Sequence, residues 1–313
     1  MKISVVIPLF NKKQYICRAI ESVLAQHIPA DEIVVIDDGS TDGSAEEVLK
    51  INDSRIRLIQ QQNSGEGATR NRGVAESKND LVAFLDADDE WKPDFLLHIQ
   101  RIYNNFPNCG AYATAYEIVE SDGSKSYPLL KGIPPAPWMG IIPNLFKIMQ
   151  DGSPFFPSSV AIPKNVYQEL KGFPEGITQG ADRMMWVRLG VKYPIAFSPS
   201  YQVVYHCEAI NRVSSAFEPK PATANLIDRM LKDQEIPSVL LEDIKDYSAV
   251  LKIQKARLMV LEGHAKLARD LLKSVKQNRK YNYKFLWWYF WSLVPYPFIT
   301  FIQNLRAERK GSD

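Results

Sequence analysis

Residues 81–91, LVAFLDADDEW, constrain this chain more than any other stretch, because it changes from apolar to acidic within one residue. Its first five residues are all apolar, which predicts a strand buried on both faces. Asp86, Asp88 and Asp89 follow directly. Open α/β sheets bind ligands at the carboxyl ends of their strands, so these acids are candidate ligand contacts. Asp86 and Asp88 are two residues apart and would point the same way if the strand continued.

Two interpretations of these acids compete. Carboxylates are natural ligands for Mg²⁺ or Mn²⁺, which also accept phosphate oxygens. The plainer interpretation is a solvated acidic turn after a strand, and an isolated Asp-x-Asp pattern favours it because the pattern is short and common. The rest of the chain decides between them.

Strand and helix patterns alternate along the first two thirds of the chain, which predicts an α/β fold with a mostly parallel, doubly wound sheet. A second strand also ends in acids, in IVVIDDGSTDGS, so one cleft lined with carboxylates is expected. Asn11 is predicted to cap the first helix, and Ser44 with Glu47 to form a capping box. The strands are predicted at 3–7, 32–36, 56–59, 81–85, 110–119, 158–162 and 201–205, and the helices after residue 11, at 45–49, within 64–77, at 93–106 and from 182.

Composition excludes several other classes. The net charge of +2 gives no sign of a nucleic-acid partner, and the three cysteines match no zinc spacing. The first eleven residues lack the long apolar core and cleavage site of a signal peptide, so we expect a cytoplasmic chain. Five prolines between Tyr127 and Pro143 predict an irregular surface loop over one side of the cleft.

The chain changes character near Glu218, where we predict a domain boundary. Residues 219–313 show helical patterns at 222–231, 239–251 and 253–275, followed by an aromatic stretch. No strand pattern occurs among them.

The sequence motifs of this chain are similar to those of the family 2 glycosyltransferases. These are inverting enzymes of the GT-A fold, which is a nucleotide-diphospho-sugar transferase fold. The resemblance runs from Lys2 to about Ser215. It rests on six motifs in order, of which DDGSTD and DADD contribute most: SVVIPLFN, VVIDDGSTDGS, NSGEGATRNRG, FLDADDEW, GFPEG and QGADRMMWVRLG. It implies transfer of one sugar from a nucleotide-diphosphate sugar, with a UDP-sugar favoured, to a hydroxyl of a glycan or lipid-linked saccharide. The implied pathway is bacterial surface polysaccharide synthesis.

The resemblance also implies roles for individual residues. Residues 1–110 would bind the nucleotide-sugar and 111–218 the acceptor. Asp182 would be the catalytic base, and Asp88 a ligand of Mn²⁺ or Mg²⁺, joined by His206 as in some relatives. The donor-binding residues would be Pro8, Phe10, Asn11, Asp38, Arg70 and Asp86.

Two positions depart from the family pattern. Phe10 stands where a tyrosine is usual, and Ala181 replaces the glutamate that usually precedes the base. Because of Ala181, an alternative function stays open, that of a catalytically impaired scaffold that binds nucleotide-sugars. A sugar nucleotidyltransferase is disfavoured, because such enzymes carry a glycine-rich loop after the first strand and this chain has PLFNKK there.

Structural interpretations stand beside the functional ones. Asp38 could cap a helix, although Asp37 is the better candidate. Asp182 could be only a charge favoured at a helix start. Trp186 lies on an apolar helical stripe and is predicted to be core, whereas Trp91, directly after the acids, is predicted to line the site.

The aromatic stretch from Phe285 to Leu305 carries no charge, but Pro295 and Pro297 interrupt it. Tryptophan and tyrosine prefer the headgroup boundary of a bilayer, and basic residues on both sides attract anionic lipid. We therefore predict an anchor lying in the interface of the cytoplasmic membrane face, rather than a span. The alternative is a helix pair packed on the catalytic domain or a second subunit. The flanking basic residues are Arg279, Lys280, Lys284, Arg306, Arg309 and Lys310.

Overall fold

The computed structural model describes residues 2–209, 221–275 and 279–301. Its contacts divide the chain into two compact units, residues 1–216 and 217–313. The predicted boundary near Glu218 lies outside the described residues, as do the basic positions after residue 301.

A single mixed sheet forms the centre of the first unit. Its strands are β1 Ile3–Leu9, β2 Glu32–Asp37, β3 Ile56–Gln60, β4 Leu81–Phe84, β5 Glu90–Trp91, β6 Ala111–Val119, β7 Lys125–Ser126, β8 Gly140–Ile141, β9 Val160–Pro163 and β10 Ile195–His206. The main order is β3-β2-β1-β4-β9-β6-β10-β5. The strands from β3 to β4 are parallel, β9 is antiparallel to both of its neighbours, and β6 and β10 are parallel.

Helices cover both faces of this sheet. They are α1 Ile16–Leu24, α2 Ser44–Leu49, α3 Glu66–Glu76, α4 Phe95–Asn105, α5 Leu145–Met149, α6 Lys164–Glu169 and α7 Ala181–Lys192. Ile3, Val5 and Ile7 of β1 pack in one cluster with α1 and α4. Val6 points to the opposite face, where α3 approaches so closely that a Cβ atom on Gly73 would lie 2.2 Å from Val6 Cγ1. This two-sided packing is the predicted doubly wound α/β arrangement. The sheet is mixed rather than mostly parallel, since four of its strand pairings are parallel and five are antiparallel.

Most predicted elements agree with the structure, but several local predictions are wrong. Asn11 does not cap α1, which begins after Tyr15, and Ser44 is the first residue of α2 rather than its cap. The proline-rich segment is not wholly irregular, since β8 pairs with β10 inside it. The short elements β5, β7, α5 and α6 were not predicted.

The second unit is helical over its described residues. It contains α8 Ala222–Lys232, α9 Leu241–Leu261, α10 Ala265–Lys273 and α11 Asn282–Trp291, and residues 296–301 are again helical. The predicted break between residues 251 and 253 is wrong, because α9 continues to Leu261 and ends before Gly263, whose φ is +82°. Among the described helices none is long and apolar enough to cross a bilayer.

Candidate active site

The carboxyl ends of β1, β2 and β4 bring most of the predicted donor-binding residues to one edge of the sheet. Leu9, the last residue of β1, pairs with Asp37, and Leu85, after β4, donates its main-chain N–H to Val6 O at 3.0 Å. The loops that leave these strands therefore begin side by side. They carry Phe10 and Asn11, Asp38, and the Asp86–Asp89 segment.

Asp86 is held by Arg70 from α3. Arg70 Nη2 donates to Asp86 Oδ1 at 2.6 Å and to Glu66 Oε1 at 2.5 Å, and its guanidinium lies 5.1 Å from the centre of the Phe173 ring. Arg70 is almost fully buried. Burial raises the pKa of Asp86 to about 6, although Arg70 opposes the shift. Arg70 therefore does not face an open cleft. It holds the Asp86 carboxylate in position from the interior of the protein.

Replacing Arg70 with leucine is expected to destabilise the fold by about 2–3 kcal/mol. This is below the range of about 3–5 kcal/mol for breaking a buried ion pair, because the Asp86 side chain keeps 21% of its surface exposed. Urea unfolding measures the change. Arg72→Leu is the matched control on the same helix, since the Arg72 side chain is 53% exposed and pairs only with Glu76 in the described contacts. Equal stabilities of the two variants would contradict the prediction.

Asp88, the predicted metal ligand, has two basic neighbours that the sequence did not predict. Lys12 Nζ donates to Asp88 Oδ2 at 2.7 Å, and Arg18 Nη2 donates to the main-chain oxygen of Asp88 at 2.9 Å. Arg18 also pairs with Glu208 at 3.0 Å. The acid cluster is thus partly neutralised by cations of the loop after β1 and of α1.

Asp89 is buried below the other two acids. Its Oδ2 accepts a 2.5 Å hydrogen bond from Ser158 Oγ, which also accepts the main-chain N–H of Asp86 at 3.0 Å. Burial raises the pKa of Asp89 well above its usual range, and Asp86 and Asp88 add to the effect. Ser158 was missed as a site residue, because a serine before a short strand has no distinctive pattern.

The chemistry of this strand end fits a divalent cation. Mg²⁺ commonly takes one or two protein carboxylates and completes its coordination with water and substrate phosphates, and Asp86 and Asp88 are such donors. In the part of the chain that the structure describes, no group of three or more potential ligands is arranged around one point. His206 does not join Asp88 in such a group: its Nε2 lies 3.3 Å from Glu90 Oε2.

Asp38 organises the loop that follows β3. Its Oδ1 accepts from Gln61 Nε2 and Ser64 N, both at 2.8 Å, and its Oδ2 accepts from Gly65 N at 2.9 Å. A carboxylate offers about four acceptor positions, so these bonds use most of its capacity. Asp37 does not cap α2 as predicted: its Oδ1 accepts from Ser40 N at 3.0 Å in the loop after β2, and α2 begins only at Ser44.

The loop after β1 is fixed against the loop after β2. Asn11 has a φ of +52°, donates its main-chain N–H to Ser40 Oγ and accepts from Thr41 N through Oδ1 at 2.8 Å. Phe10 is 44% exposed, and Pro8 is half-buried in β1. The exposed Phe10 ring, on a loop that is otherwise fixed, is a suitable surface for a flat nucleobase.

Asp182 is the second residue of α7, which follows Gly180 at a φ of +85°. Burial raises the pKa of the Tyr116 phenol to about 12, and the charges of Tyr205, Asp182 and Asp89 also raise it. The carboxylates of Asp182 and Asp89 therefore both raise the pKa of the Tyr116 phenol.

Tyr116 is one of three half-buried aromatic rings that pack together. The centre of the Phe156 ring lies 4.5 Å from that of Tyr116 and 5.3 Å from that of Tyr205. Trp91 is not one of these rings, so the prediction that it lines the site is wrong: it is 2% exposed and stacks on Phe95 in the core. The prediction that Trp186 is core is confirmed.

A cavity of about 720 Å³ opens at the other end of β4, near Leu81. Its lining is mainly polar and includes none of the predicted site residues. The acid cluster, not this cavity, is the candidate active site.

The mixed sheet and the acids at its carboxyl edge define a nucleotide-sugar transferase fold of the GT-A type. A family model described as glycosyl transferase family 2 matches residues 4–167. The chain belongs to this family, and the resemblance that its motifs predicted is confirmed.

Several relatives and solved structures are similar to it. A glycosyltransferase of Nostoc sp. is 45% identical over 106 residues, 33% of each chain. One of Rickettsia felis is 33% identical over 196 residues, 62% of this chain and 31% of its own. The protein named for teichuronic acid biosynthesis in Bacillus subtilis is 34% identical over 125 residues, 39% of this chain and 49% of that one. The matched region is thus about a third of the full length of the Nostoc and Rickettsia relatives.

The structure of S. aureus TarS residues 1–349 in complex with UDP-GlcNAc has a TM-score of 0.66 at 18% identity, covering 88% of this chain and 82% of that one. At this identity the likeness establishes the fold alone. The predicted GT-A architecture is therefore confirmed.

Proposed function

We propose that this chain transfers one sugar from a nucleotide-diphosphate sugar, preferably a UDP-sugar, to an acceptor hydroxyl with inversion at the anomeric carbon. The observation that carries the proposal is the convergence of the Asp86–Asp89 acids, Asp38 and the Phe10 loop at one sheet edge in a chain of family 2. The TarS neighbour was crystallised with UDP-GlcNAc and with UDP, which supports a UDP-sugar as donor.

Donor binding is assigned to the loops after β1, β2 and β4. Phe10 would pack on the base beside Pro8 and Asn11, and Asp38 would accept a hydrogen bond from the base. Arg70 would act through Asp86, which it holds near the ribose and the diphosphate.

A Mg²⁺ or Mn²⁺ ion held by Asp88 and by the donor's phosphates would neutralise the charge that develops on the leaving diphosphate. Lys12 binds the Asp88 carboxylate directly, so this ammonium must yield to the cation or share the oxygens with it. His206 is proposed as the further ligand, and it would exchange its contact with Glu90 for this role.

Asp182 would remove the proton of the attacking hydroxyl on the face opposite the leaving group. The anomeric carbon becomes oxocarbenium-like as the bond to the diphosphate breaks, as in glycoside hydrolysis. One carboxylate on the attacking side suffices for a single displacement. The acceptor sugar would lie against the rings of Tyr116, Phe156 and Tyr205, because both Asp182 and Asp89 act on the Tyr116 phenol.

A donor panel tests the proposal. The full chain is incubated with MnCl₂ and with UDP-, GDP- and dTDP-sugars, and release of the nucleoside diphosphate is measured. Water substitutes slowly for an absent acceptor, so release from one donor class, with UDP-sugars fastest, is expected. Proton NMR of the transferred sugar then shows whether the anomeric configuration has inverted; retention would contradict single displacement.

The same donor panel distinguishes an active transferase from the alternative, a catalytically impaired scaffold that binds nucleotide-sugars. Its support is Ala181, which replaces the family's usual glutamate beside the base. Calorimetric binding of UDP without release from any UDP-sugar, in the presence of a mixed glycan acceptor pool, would favour the scaffold.

We further propose that the enzyme acts in surface polysaccharide synthesis at the cytoplasmic face of the membrane. The name of the Bacillus subtilis relative supports the pathway. The membrane location is supported by the exposed aromatic side chains of the helical unit between Tyr283 and Phe301.

A further inference from the structure

The second unit exposes a continuous apolar surface. Eight large hydrophobic side chains of α11 and the segment after it are each at least 44% exposed. Those on α11 follow the spacing of one helical face. We call this surface the aromatic face, and it consists of Tyr283, Leu286, Trp287, Phe290, Leu293, Tyr296, Phe298 and Phe301.

The opposite side of the same segment is already packed. Phe285 and Ile299 are buried in a cluster with α9 and α10, and Ser292 is 1% exposed. Arg269 Nη1 donates to the Ser292 carbonyl oxygen, which ties the end of α11 to α10. The aromatic face is therefore preformed on a folded unit, whereas an isolated amphipathic peptide would have to fold on binding.

Charge accompanies this face. Residues 217–313 contain 17 lysines and arginines against 11 aspartates and glutamates, a net charge of +6. Residues 1–216 contain 21 against 25, a net charge of −4. At the edge of the face the exposed Lys284 ammonium lies 5.7 Å from the Tyr281 ring and 5.9 Å from the Tyr283 ring. The two units thus carry opposite net charge, and the positive one bears the aromatic face.

We propose that the aromatic face docks on an anionic lipid bilayer and that unit 217–313 is a prefolded membrane-binding module. Tryptophan and tyrosine favour the headgroup boundary, and Lys284 together with the net positive charge of the unit draws the face to anionic headgroups. α11 has ten residues, and a span needs about twenty, so the helix would lie in the interface with its apolar side inserted. This deepens the membrane location proposed above and does not depend on the transfer chemistry.

Flotation of the full chain with vesicles tests this inference. The protein is expected to float with vesicles of equal parts phosphatidylglycerol and phosphatidylcholine, and much less with phosphatidylcholine alone. The double variant Trp287→Ser, Phe290→Ser should stay in the bottom fraction. Lys284→Gln should weaken binding about fivefold. Brominated lipids should quench tryptophan fluorescence in the parent chain and less in the double variant.

The matched control is Leu49→Ser, Val239→Ser, which removes two side chains that are 72% and 81% exposed outside the aromatic face. It should float like the parent chain. Circular dichroism melting, together with nucleoside diphosphate release in solution, shows that each variant is folded. Failure of the parent chain to float, or flotation of the folded double variant, would overturn the proposal. A parent dimer that the double variant converts to monomer, without lipid binding, would assign the face to a second copy.

Discussion

Asp182→Asn is expected to lower the rate of sugar transfer by about 10²–10⁴-fold, the usual contribution of a positioned general base. Asparagine keeps the size and shape of the side chain but cannot accept the acceptor's proton. The proposed donor contacts lie on the loops after β1, β2 and β4, whereas Asp182 lies on α7. The dissociation constant for the donor nucleotide should therefore stay within about twofold, because Asp182 shares no described contact with the proposed nucleotide-binding residues.

Three measurements separate a base from a structural charge at a helix start. Transfer is followed at saturating donor and acceptor, UDP binding is measured by calorimetry, and thermal stability by circular dichroism. The control Asp122→Asn removes an exposed acid of the same unit whose partner in the described contacts is Ser124, through its main chain and its side chain. If Asp182→Asn keeps most of its turnover, another group must remove the proton. A loss of UDP binding would instead place Asp182 with the donor.

Asp88→Asn is expected to lower transfer about a thousandfold and to remove most of its dependence on divalent cation. A bound cation contributes several kcal/mol of charge stabilisation, and each ~1.4 kcal/mol corresponds to a factor of ten in rate. The substitution also removes the ion pair between Lys12 and Asp88, and we expect the ammonium to contact the donor's phosphates instead. The residual activity of the variant is therefore expected to be insensitive to EDTA.

The parent chain and the variant are assayed with MnCl₂, MgCl₂ and excess EDTA. Asp94→Asn is the matched control, because Asp94 follows Asp88 by six residues in the chain, is 47% exposed and pairs with His27 away from the acid cluster. It should keep both its rate and its cation dependence. Full turnover of the parent chain in EDTA would remove the cation from the proposed mechanism and leave Lys12 as the neutralising group.

Much of the fold was predictable because its signals are local. Buried parallel strands require continuous apolar runs, and β1, β2 and β4 each have one. Short edge elements such as β5 have no pattern of their own, since two residues pair wherever a neighbouring strand presents free backbone groups. The predicted caps at Asn11 and Ser44 were wrong because both side chains bond across loops: Asn11 Oδ1 accepts from Thr41 N, and Ser44 Oγ accepts from Lys12 N.

The family, the α/β architecture and the importance of the acids after β4 could all be predicted from residue patterns. This was possible because a strand that ends abruptly in carboxylates needs no tertiary information to be recognised. The differences among those acids became visible in the folded chain. Burial beside Ser158 raises the pKa of Asp89, Arg70 holds Asp86 from the core, and Lys12 pairs with Asp88. Ion pairs and desolvation depend on which distant side chains share a site, and the spacing of residues along a chain does not contain that information.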